Sequence, residues 1–307
     1  MLKHHQVKQR LYVSVRLCIL LMLSCGVVLF SCKKKKGDDP ADNGGGDKKL
    51  NACGFNGWPT AQTVGLPAGT PLQTVTKDFY TTKDGQVIEG LDVRARIYVA
   101  HKNVTVRNCI LSGTDYYPIY STGAGNDGPL LVENCDITGG ISCGNNATFR
   151  NNHFYAPADG FKDDGLVLGS DNILIENNLI HNLRGEPHAH MDGIQIMQGR
   201  NITIRNNWIE LHDNPETGDD GGPNSAIFVK VDTGPISNVT VECNMLIMRD
   251  GYYPLRFAWV TGNIVVQHNR WRYGSINDWP VAWDYTDAPK VWEDNAFEDG
   301  KVIANPY

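Results

Sequence analysis

The sequence predicts an all-β chain wound into a solenoid, a parallel β-helix in which each coil stacks on the one below. Three observations predict it: an alternating apolar strand pattern, an Asn-containing pair after each strand, and the repetition of both seven times between residues 104 and 270. The copies are VTVRNC from Val104, LLVENC from Leu130, ATFRNN from Ala147, ILIENN from Ile173, ITIRNN from Ile202, VTVECN from Val239 and IVVQHN from Ile264. A repeat of this kind sets the architecture of the whole domain.

Each copy of the repeat combines a strand with a turn. Aliphatic residues alternate with polar or charged ones, which is typical of a strand that buries one face. The pair that follows contains Asn in every copy, and Asn tolerates the left-handed backbone conformation of a tight turn. We therefore predict a turn after each strand and an Asn ladder, in which the second members of the pairs bond along the solenoid axis.

A shorter apolar motif precedes each copy and predicts a second strand in every coil. These motifs are Ile97-Tyr-Val, Ile119-Tyr-Ser, Ile141-Ser-Cys, Leu166-Val-Leu, Ile194-Gln-Ile, Ile227-Phe-Val and Phe257-Ala-Trp. An apolar residue after the Asn turn predicts a third, short strand. The spacing between turns varies, and the variable part always falls between this third strand and the next short motif. Insertions confined to one corner favour a solenoid over a flat sandwich.

With these motifs the chain resembles the right-handed parallel β-helix superfamily typified by pectate lyases and polygalacturonases. The resemblance covers roughly residues 72–271. It implies a right-handed solenoid that carries its functional groove along the sheet of the short motifs. It does not imply one activity, because the superfamily includes lyases, hydrolases, epimerases, esterases and phage adhesins.

Residues 1–31 predict a lipoprotein signal peptide. Basic residues precede an apolar run that starts at Leu17, and Leu29-Phe-Ser-Cys32 resembles a bacterial lipobox. Cys32 would then be lipidated and would anchor the protein to the membrane, at the outer membrane or cell surface of a bacterial envelope. An ordinary signal peptide or a single anchor helix is the alternative. Residues 32–50 contain almost nothing apolar and predict a disordered linker.

Residues 51–307 are predicted to form the β-helix domain, with a cap at each end. Residues 51–76 would cap the lower end and residues 271–307 the upper end, because an open strand edge recruits other chains. We expect a monomer. Export permits disulfides, and Cys109 and Cys135 occupy the same ladder position on neighbouring coils. A bridge between them and a pair of stacked free thiols are equally compatible with that placement.

The charge balance argues against a nucleic-acid partner. The chain has 28 Lys and Arg residues against 34 Asp and Glu residues, a net charge of −6. The predicted signal peptide contains only basic charges, so the mature chain is more acidic still. Nucleic-acid-binding domains carry a basic surface instead. An anionic substrate would therefore need a local cluster of cations, or a metal.

Three loops that enter the short strands, residues 158–165, 184–193 and 212–221, contain the candidate site. Aligning the short strands places Asp164 one rung below Asp192, at about 5 Å, and Lys162 below His190. We predict catalytic roles for Lys162, His190, Asp192, Lys230 and Arg256, substrate binding by Tyr120, Arg184, His188, Gln195 and Phe228, and a calcium site at Asp163, Asp164 and Asp192.

Two chemistries could use these groups. A lyase that acts on a uronic acid by β-elimination needs a base and a cation or calcium to neutralise the sugar carboxylate. A hydrolase needs one carboxylic acid and one carboxylate beside the glycosidic bond. The cluster of Asp163, Asp164 and Asp192 resembles that of polygalacturonases, but the Gly-His-Gly and Arg-Ile-Lys motifs of that family are absent downstream. The concentration of cations in an acidic chain favours the lyase.

A third interpretation is a non-catalytic, glycan-binding surface lipoprotein. Tyr98, Tyr120 and Phe228 are predicted on the outer face of the short strands, where their rings would stack on sugars. The expected partner is in each case a polysaccharide, and calcium is the only cofactor that the residues suggest.

Overall fold

The computed structural model describes residues 50–113, 117–121, 128–144, 146–156, 164–183, 190–212, 223–249, 251–272 and 279–307. The predicted signal peptide and all of the linker except Leu50, with Cys32, lie outside these residues. So do four residues of the candidate site, namely Lys162, Asp163, Arg184 and His188. Across the described part of the chain, no helix is both long enough and apolar enough to cross a bilayer.

Each coil contributes three strands, one to each of three parallel sheets. Sheet A contains β1 Gln73–Val75, β4 Leu91–Val93, β7 Ile110–Leu111, β10 Asp136–Thr138, β13 His153–Tyr155, β16 Leu179–His181, β18 Trp208–His212, β21 Met245–Arg249, β24 Arg270–Arg272 and β27 Ala296–Phe297. Sheet B contains β2 Phe79–Tyr80, β5 Ile97–Tyr98, β8 Ile119–Ser121, β11 Ile141–Cys143, β14 Leu166–Gly169, the first half of β17 Met191–Arg205, β19 Pro223–Lys230, β22 Tyr253–Ala258 and β25 Val281–Asp284. Sheet C contains β3 Val87–Glu89, β6 Val104–Arg107, β9 Leu130–Glu133, β12 Ala147–Arg150, β15 Ile173–Glu176, the second half of β17, β20 Ile236–Glu242, β23 Thr261–Gln267 and β26 Val291–Glu293.

The core is a column of aliphatic side chains inside the coil. Alternate residues of each strand point inward, so one row runs through the seven consecutive sheet B strands from β5 to β22. This row is Ile97, Ile119, Ile141, Leu166, Ile194, Ile227 and Leu255, and all of its members are fully buried. The seventh short motif is therefore Leu255-Arg-Phe257 rather than Phe257-Ala-Trp. The predicted start of this motif is two residues too late, because Leu255 and Phe257 both satisfy the alternating pattern.

The predicted Asn ladder is confirmed. The first member of each pair adopts a positive φ, between 50° at Asn206 and 57° at His268, as the turn requires. The second members stack: Oδ1 of Asn207 accepts bonds from both the backbone N–H and Nδ2 of Asn178, at 3.0 and 2.9 Å. The same pair of hydrogen bonds joins Asn152 to Asn178, Asn207 to Asn244 and Asn244 to Asn269. The all-β parallel β-helix is thus the fold of this chain.

The solenoid continues into the segment that was predicted to be the upper cap. Strands β25, β26 and β27 add a further coil, and Asn295 extends the ladder by accepting from Asn269. The prediction missed this coil because Asp294 takes the position that Asn holds in most copies. Capping is confined to the last residues, where Val302 forms an antiparallel bridge to Ala296 and the carbonyl of Ile303 accepts from Trp292 Nε1.

Residues 51–67, which we call the N-terminal strap, lie along the side of the stack instead of capping its lower end. The strap is joined to the Asn turn of a distant coil by a Cys53–Cys243 disulfide. From there it descends, with Gly65 N–H donating to the carbonyl of Asn151 and Leu66 N–H donating to Asp136. Trp58, Ala61 and Val64 pack on a second apolar cluster on sheet A, formed by Leu179, Trp208, Met245 and Ile247. Cys109 and Cys135 are free, buried thiols.

We expect the strap disulfide to contribute strongly to stability. It closes a loop of 190 residues, and constraining so long a loop in the unfolded chain contributes about 2–5 kcal/mol. The double substitution Cys53→Ala and Cys243→Ala should lower the free energy of unfolding by about this amount, measured by denaturant titration. Dithiothreitol should lower the stability of the wild type and leave that of the double variant unchanged. An equal response of both proteins would contradict the assignment.

Candidate functional site

Two aspartates meet at the entrance to sheet B. Leu166 pairs with Ile194, so Asp164 lies one coil below Asp192, as the alignment of the short strands predicts. The backbone N–H of Asp192 donates to Asp164 Oδ1 at 2.6 Å. Both residues are buried, with exposed fractions of 7% and 1%. Burial of two carboxylates is costly unless hydrogen bonds or a cation compensate it.

The next coil adds two polar residues that the sequence analysis missed. Asn224 Nδ2 donates to both carboxylate oxygens of Asp192, at 3.1 and 3.4 Å. Ser225 is the strand partner of Asp192 and is fully buried, and its Oγ has no hydrogen-bond partner. The sequence does contain a sign of this placement. Ser225 comes two residues before Ile227, just as Asp192 comes two residues before Ile194. Together Asp164, Asp192, Asn224 and Ser225 form what we call the aspartate cluster.

A line of outward-facing side chains, which we call the outer row, runs along sheet B. In register, it consists of Tyr80, Tyr98, Tyr120, Ser142, Val167, Gln195, Phe228, Arg256 and Ala282. Its lower end is aromatic: the rings of Tyr80 and Tyr98 stack at 4.6 Å, and Tyr120 meets Tyr98 edge-on at 6.3 Å. Tyr80, 62% exposed, was not among the predicted residues.

The upper end of the outer row is cationic. The guanidinium of Arg256 lies 4.9 Å from the ring centroid of Phe228, and its Nε donates to Asp284 at 3.0 Å. Phe228 is only 6% exposed, so the prediction that its ring offers a face to a sugar is wrong. The physical reason is that Arg256, its neighbour on the next coil, covers it. Lys230 forms an ion pair with Asp232 at 3.0 Å.

The structure does not bring all the predicted catalytic residues together. The register places Lys230 opposite the residue that follows Asp192 by five positions. Lys230 and Asp192 are therefore ~16 Å apart along the strand direction. Arg256 lies two coils above Gln195, and Gln195 follows Asp192 by three positions along the strand. The two offsets together place Arg256 ~14 Å from Asp192. Alternation placed these side chains on one face, but it carries no information on their distance along the strand. His190, exposed, is two residues from Asp192.

Residues 95–247 match the family model of the right handed beta helix region. The matched residues include the aspartate cluster and all of the outer row from Tyr98 to Phe228. The match assigns a right-handed coil to this β-helix, and its description names no activity. No curated protein and no solved structure matches the chain.

The aspartate cluster of this β-helix presents only oxygen and amide ligands. Two carboxylates and the unpartnered Ser225 Oγ suit a hard cation such as calcium better than a soft metal. In the part of the chain that the structure describes, no group of three or more His, Cys, Asp or Glu side chains could hold a metal ion. A calcium ion would therefore need Ser225 or Asn224, or Asp163 outside the described residues, to complete its shell.

A second polar cluster lies on sheet A, at the side of the strap. Burial alone would raise the pKa of Glu210, but hydrogen bonds from His212 and Trp208 and the charge of Arg249 lower that pKa to about 2. The carboxylate contacts His212 at 3.1 Å and Arg249 at 3.3 Å. Glu210 thus stays ionised and satisfied by its neighbours, which is the behaviour of a structural ion pair rather than of a catalytic group.

Proposed function

We propose that the protein binds an acidic polysaccharide along the outer row and cleaves it beside the aspartate cluster by β-elimination. The observation that carries this proposal is that one sheet holds both a buried carboxylate pair and a long outward row with aromatic rings at one end and Arg256 at the other. The row spans nine coils at ~4.8 Å per rung. That length suits several consecutive sugar units rather than a single one.

The residues can be given roles in such a reaction. His190 is exposed and adjacent to the cluster, so it can remove the proton next to the uronate carboxylate. The C–O bond to the leaving sugar then breaks, a carbon–carbon double bond forms, and the leaving oxygen takes a proton from water. Asp164, Asp192 and Ser225 would hold calcium. When bound, calcium would neutralise the substrate carboxylate and so acidify the neighbouring C–H. Arg256, oriented by Asp284, would bind the carboxylate of another sugar unit.

A glycoside hydrolase is the second candidate, and a specific observation favours it. Asp164 and Asp192 are one rung apart, or ~4.8 Å, which is close to the ~5–5.5 Å between the two carboxyl groups of retaining glycosidases. In this case one aspartate would protonate the leaving oxygen while the other attacked the sugar. The third candidate, a binding protein without turnover, is favoured by the stacked rings of Tyr80 and Tyr98.

A product assay separates the three candidates. Protein lacking residues 1–31 is incubated with uronic-acid polysaccharides and with neutral glucans, with and without a calcium chelator. We expect absorbance at ~235 nm and reducing ends to rise together, on acidic substrates only, with a slower rise after chelation. Reducing ends without absorbance would indicate the hydrolase, and binding without either product would indicate the binding protein. A failure to bind or cleave any of them would overturn the proposal.

We further propose that Cys32 is lipidated and anchors the protein to the bacterial envelope. The support is the lipobox-like Leu29-Phe-Ser-Cys32 sequence after an apolar run. In a bacterial host, the wild type should sediment with membranes and Cys32→Ser should not. Equal sedimentation of the two proteins would contradict lipidation and leave the activity untouched.

A further inference from the structure

We propose that Trp259 and Tyr285 form a second sugar-binding subsite, which takes the apolar face of a pyranose unit of the polysaccharide. We call this pair the aromatic corner. The inference rests on the proposed function, because it assigns a further contact to the same polymer, but it depends on different residues from those of the aspartate cluster.

The aromatic corner lies where sheet B ends and the chain turns toward sheet C. Ala258 pairs with Asp284, and the next residues, Trp259 and Tyr285, occupy the same turn on successive coils. Their rings are nearly parallel, at 7°, with centroids 6.0 Å apart. Trp259 is 47% exposed and Tyr285 is 85% exposed. The ring of Tyr285 is thus open to solvent and is supported from below by the indole.

The backbone at the aromatic corner is of a kind that bulky residues rarely adopt. Trp259 and Tyr285 have φ of 58° and 46°, whereas most of the other non-glycine residues with positive φ in the described structure are Asn. Asn or Gly would make the same turn at lower cost. Such strain persists at sites where it serves a function. Folding alone therefore gives no reason for two large exposed rings at this corner.

The turn beneath the rings is held by hydrogen bonds that do not involve them. Thr286 Oγ1 accepts from the N–H of Val260 at 3.2 Å and donates to the carbonyl of Asp284 at 2.9 Å. Asp287 accepts from the N–H of Gly262 at 2.9 Å. The rings are consequently presented on a fixed base, which reduces the ordering cost of binding a ligand.

A sugar is the ligand whose chemistry fits this surface. The C–H face of a pyranose stacks on an aromatic ring, while its hydroxyl groups need polar partners at the ring edge. Asp284 directly precedes Tyr285 and is held by Arg256, the cationic end of the outer row. The row ends at Ala282, three residues or ~10 Å from Tyr285. One polysaccharide chain can therefore continue from the outer row to the aromatic corner.

The test measures affinity, turnover and stability in the same proteins. Trp259→Asn and Tyr285→Asn remove the rings and keep a residue that accepts the turn. We expect each to weaken binding of the cleaved polysaccharide about tenfold, measured by affinity electrophoresis in the Asp192→Asn background and with product oligosaccharides on the active protein. The melting temperature should stay equal or rise, since strain is relieved. Phe55→Asn, which removes a partly exposed ring of the strap that lies over Arg205 and away from sheet B, is the control.

Three outcomes would overturn the aromatic corner as a sugar subsite. Unchanged affinity in both variants would show that the rings do not bind the sugar, and the cleavage function would then stand without them. A lowered melting temperature in both variants would show that the stack serves folding. Loss of affinity for a protein partner, with sugar binding intact, would assign the surface to another ligand. Failure of the unsubstituted protein to cleave any polysaccharide concerns the proposed function instead.

Discussion

Replacement of Asp192 by Asn is expected to lower the turnover of an acidic polysaccharide by roughly 10²–10⁴-fold. The amide has nearly the shape of the carboxylate but lacks its charge, so it holds a cation more weakly and cannot act as an acid, base or nucleophile. The same substitution should leave the fold intact, because an amide can still accept a bond from Asn224, which lies 3.1 Å from Asp192 Oδ1. The measurement is the initial rate of product formation at saturating substrate, together with a melting curve.

Asp171→Asn is the matched control for this prediction. Asp171 forms an exposed ion pair with Arg200 at 2.8 Å, and exposed pairs contribute less than about 1 kcal/mol. Its substitution makes the same change of charge away from the aspartate cluster and should leave the rate unchanged. Asp164→Asn should resemble Asp192→Asn. If Asp192→Asn turned over substrate as fast as Asp171→Asn does, the aspartate cluster would not be the active site.

The repeat made the interior of this molecule predictable from the sequence. Alternation places Ile194 and Ile227 inside, and the Asn pairs place each turn, so that strand register follows from counting. The correspondence of Asp164 with Asp192 was accessible in the same way, because both precede a Gly and an aliphatic residue. What repeats along the chain repeats in space, since every coil solves the same packing problem.

The parts without a repeat could not be predicted in this way. The strap has no strand pattern, and its position depends on Trp208 and Met245 pointing out of sheet A to receive it. Two features of the sequence indicate such a covering segment. Apolar side chains point outward from sheet A, and Cys243 stands where most turns have Asn. The aromatic corner escaped notice for a related reason: positive φ at Trp259 is a property of the coil geometry that no residue preference indicates.

The separation of Lys230 from the aspartate cluster has a different origin. The alternation along a strand predicts the face of the sheet on which a side chain lies. It does not predict the distance along the strand, which grows by ~3.3 Å with each residue. Asp192 and Lys230 therefore share a sheet without sharing a site. Arg256 is likewise too far from Asp192 for the two side chains to act at the same bond.

The Asn ladder supplies the second large effect. Asn207→Leu is expected to lower the free energy of unfolding by about 3–5 kcal/mol, because each buried polar group left without a partner costs about 1–3 kcal/mol. Asn207 Oδ1 accepts from Asn178, and its Nδ2 donates to the carbonyls of Ile175 and Arg205 and to Asn244 Oδ1, at distances near 3.0 Å. Leu has the same branched set of heavy atoms as Asn but a larger volume, so the loss contains no cavity and combines the missing hydrogen bonds with some overpacking. Urea titration of both proteins measures it.

Asn201→Gly tests whether burial is the reason for the large loss of stability at Asn207. Asn201 also belongs to a stacked pair, with Nδ2 donating to Asn172 Oδ1 at 3.0 Å, but it is exposed and has a φ of 61° that Gly accepts. Water replaces the lost bond there, so the change should stay below about 1 kcal/mol. Similar losses at both positions would mean that burial is not what makes the inner ladder strong.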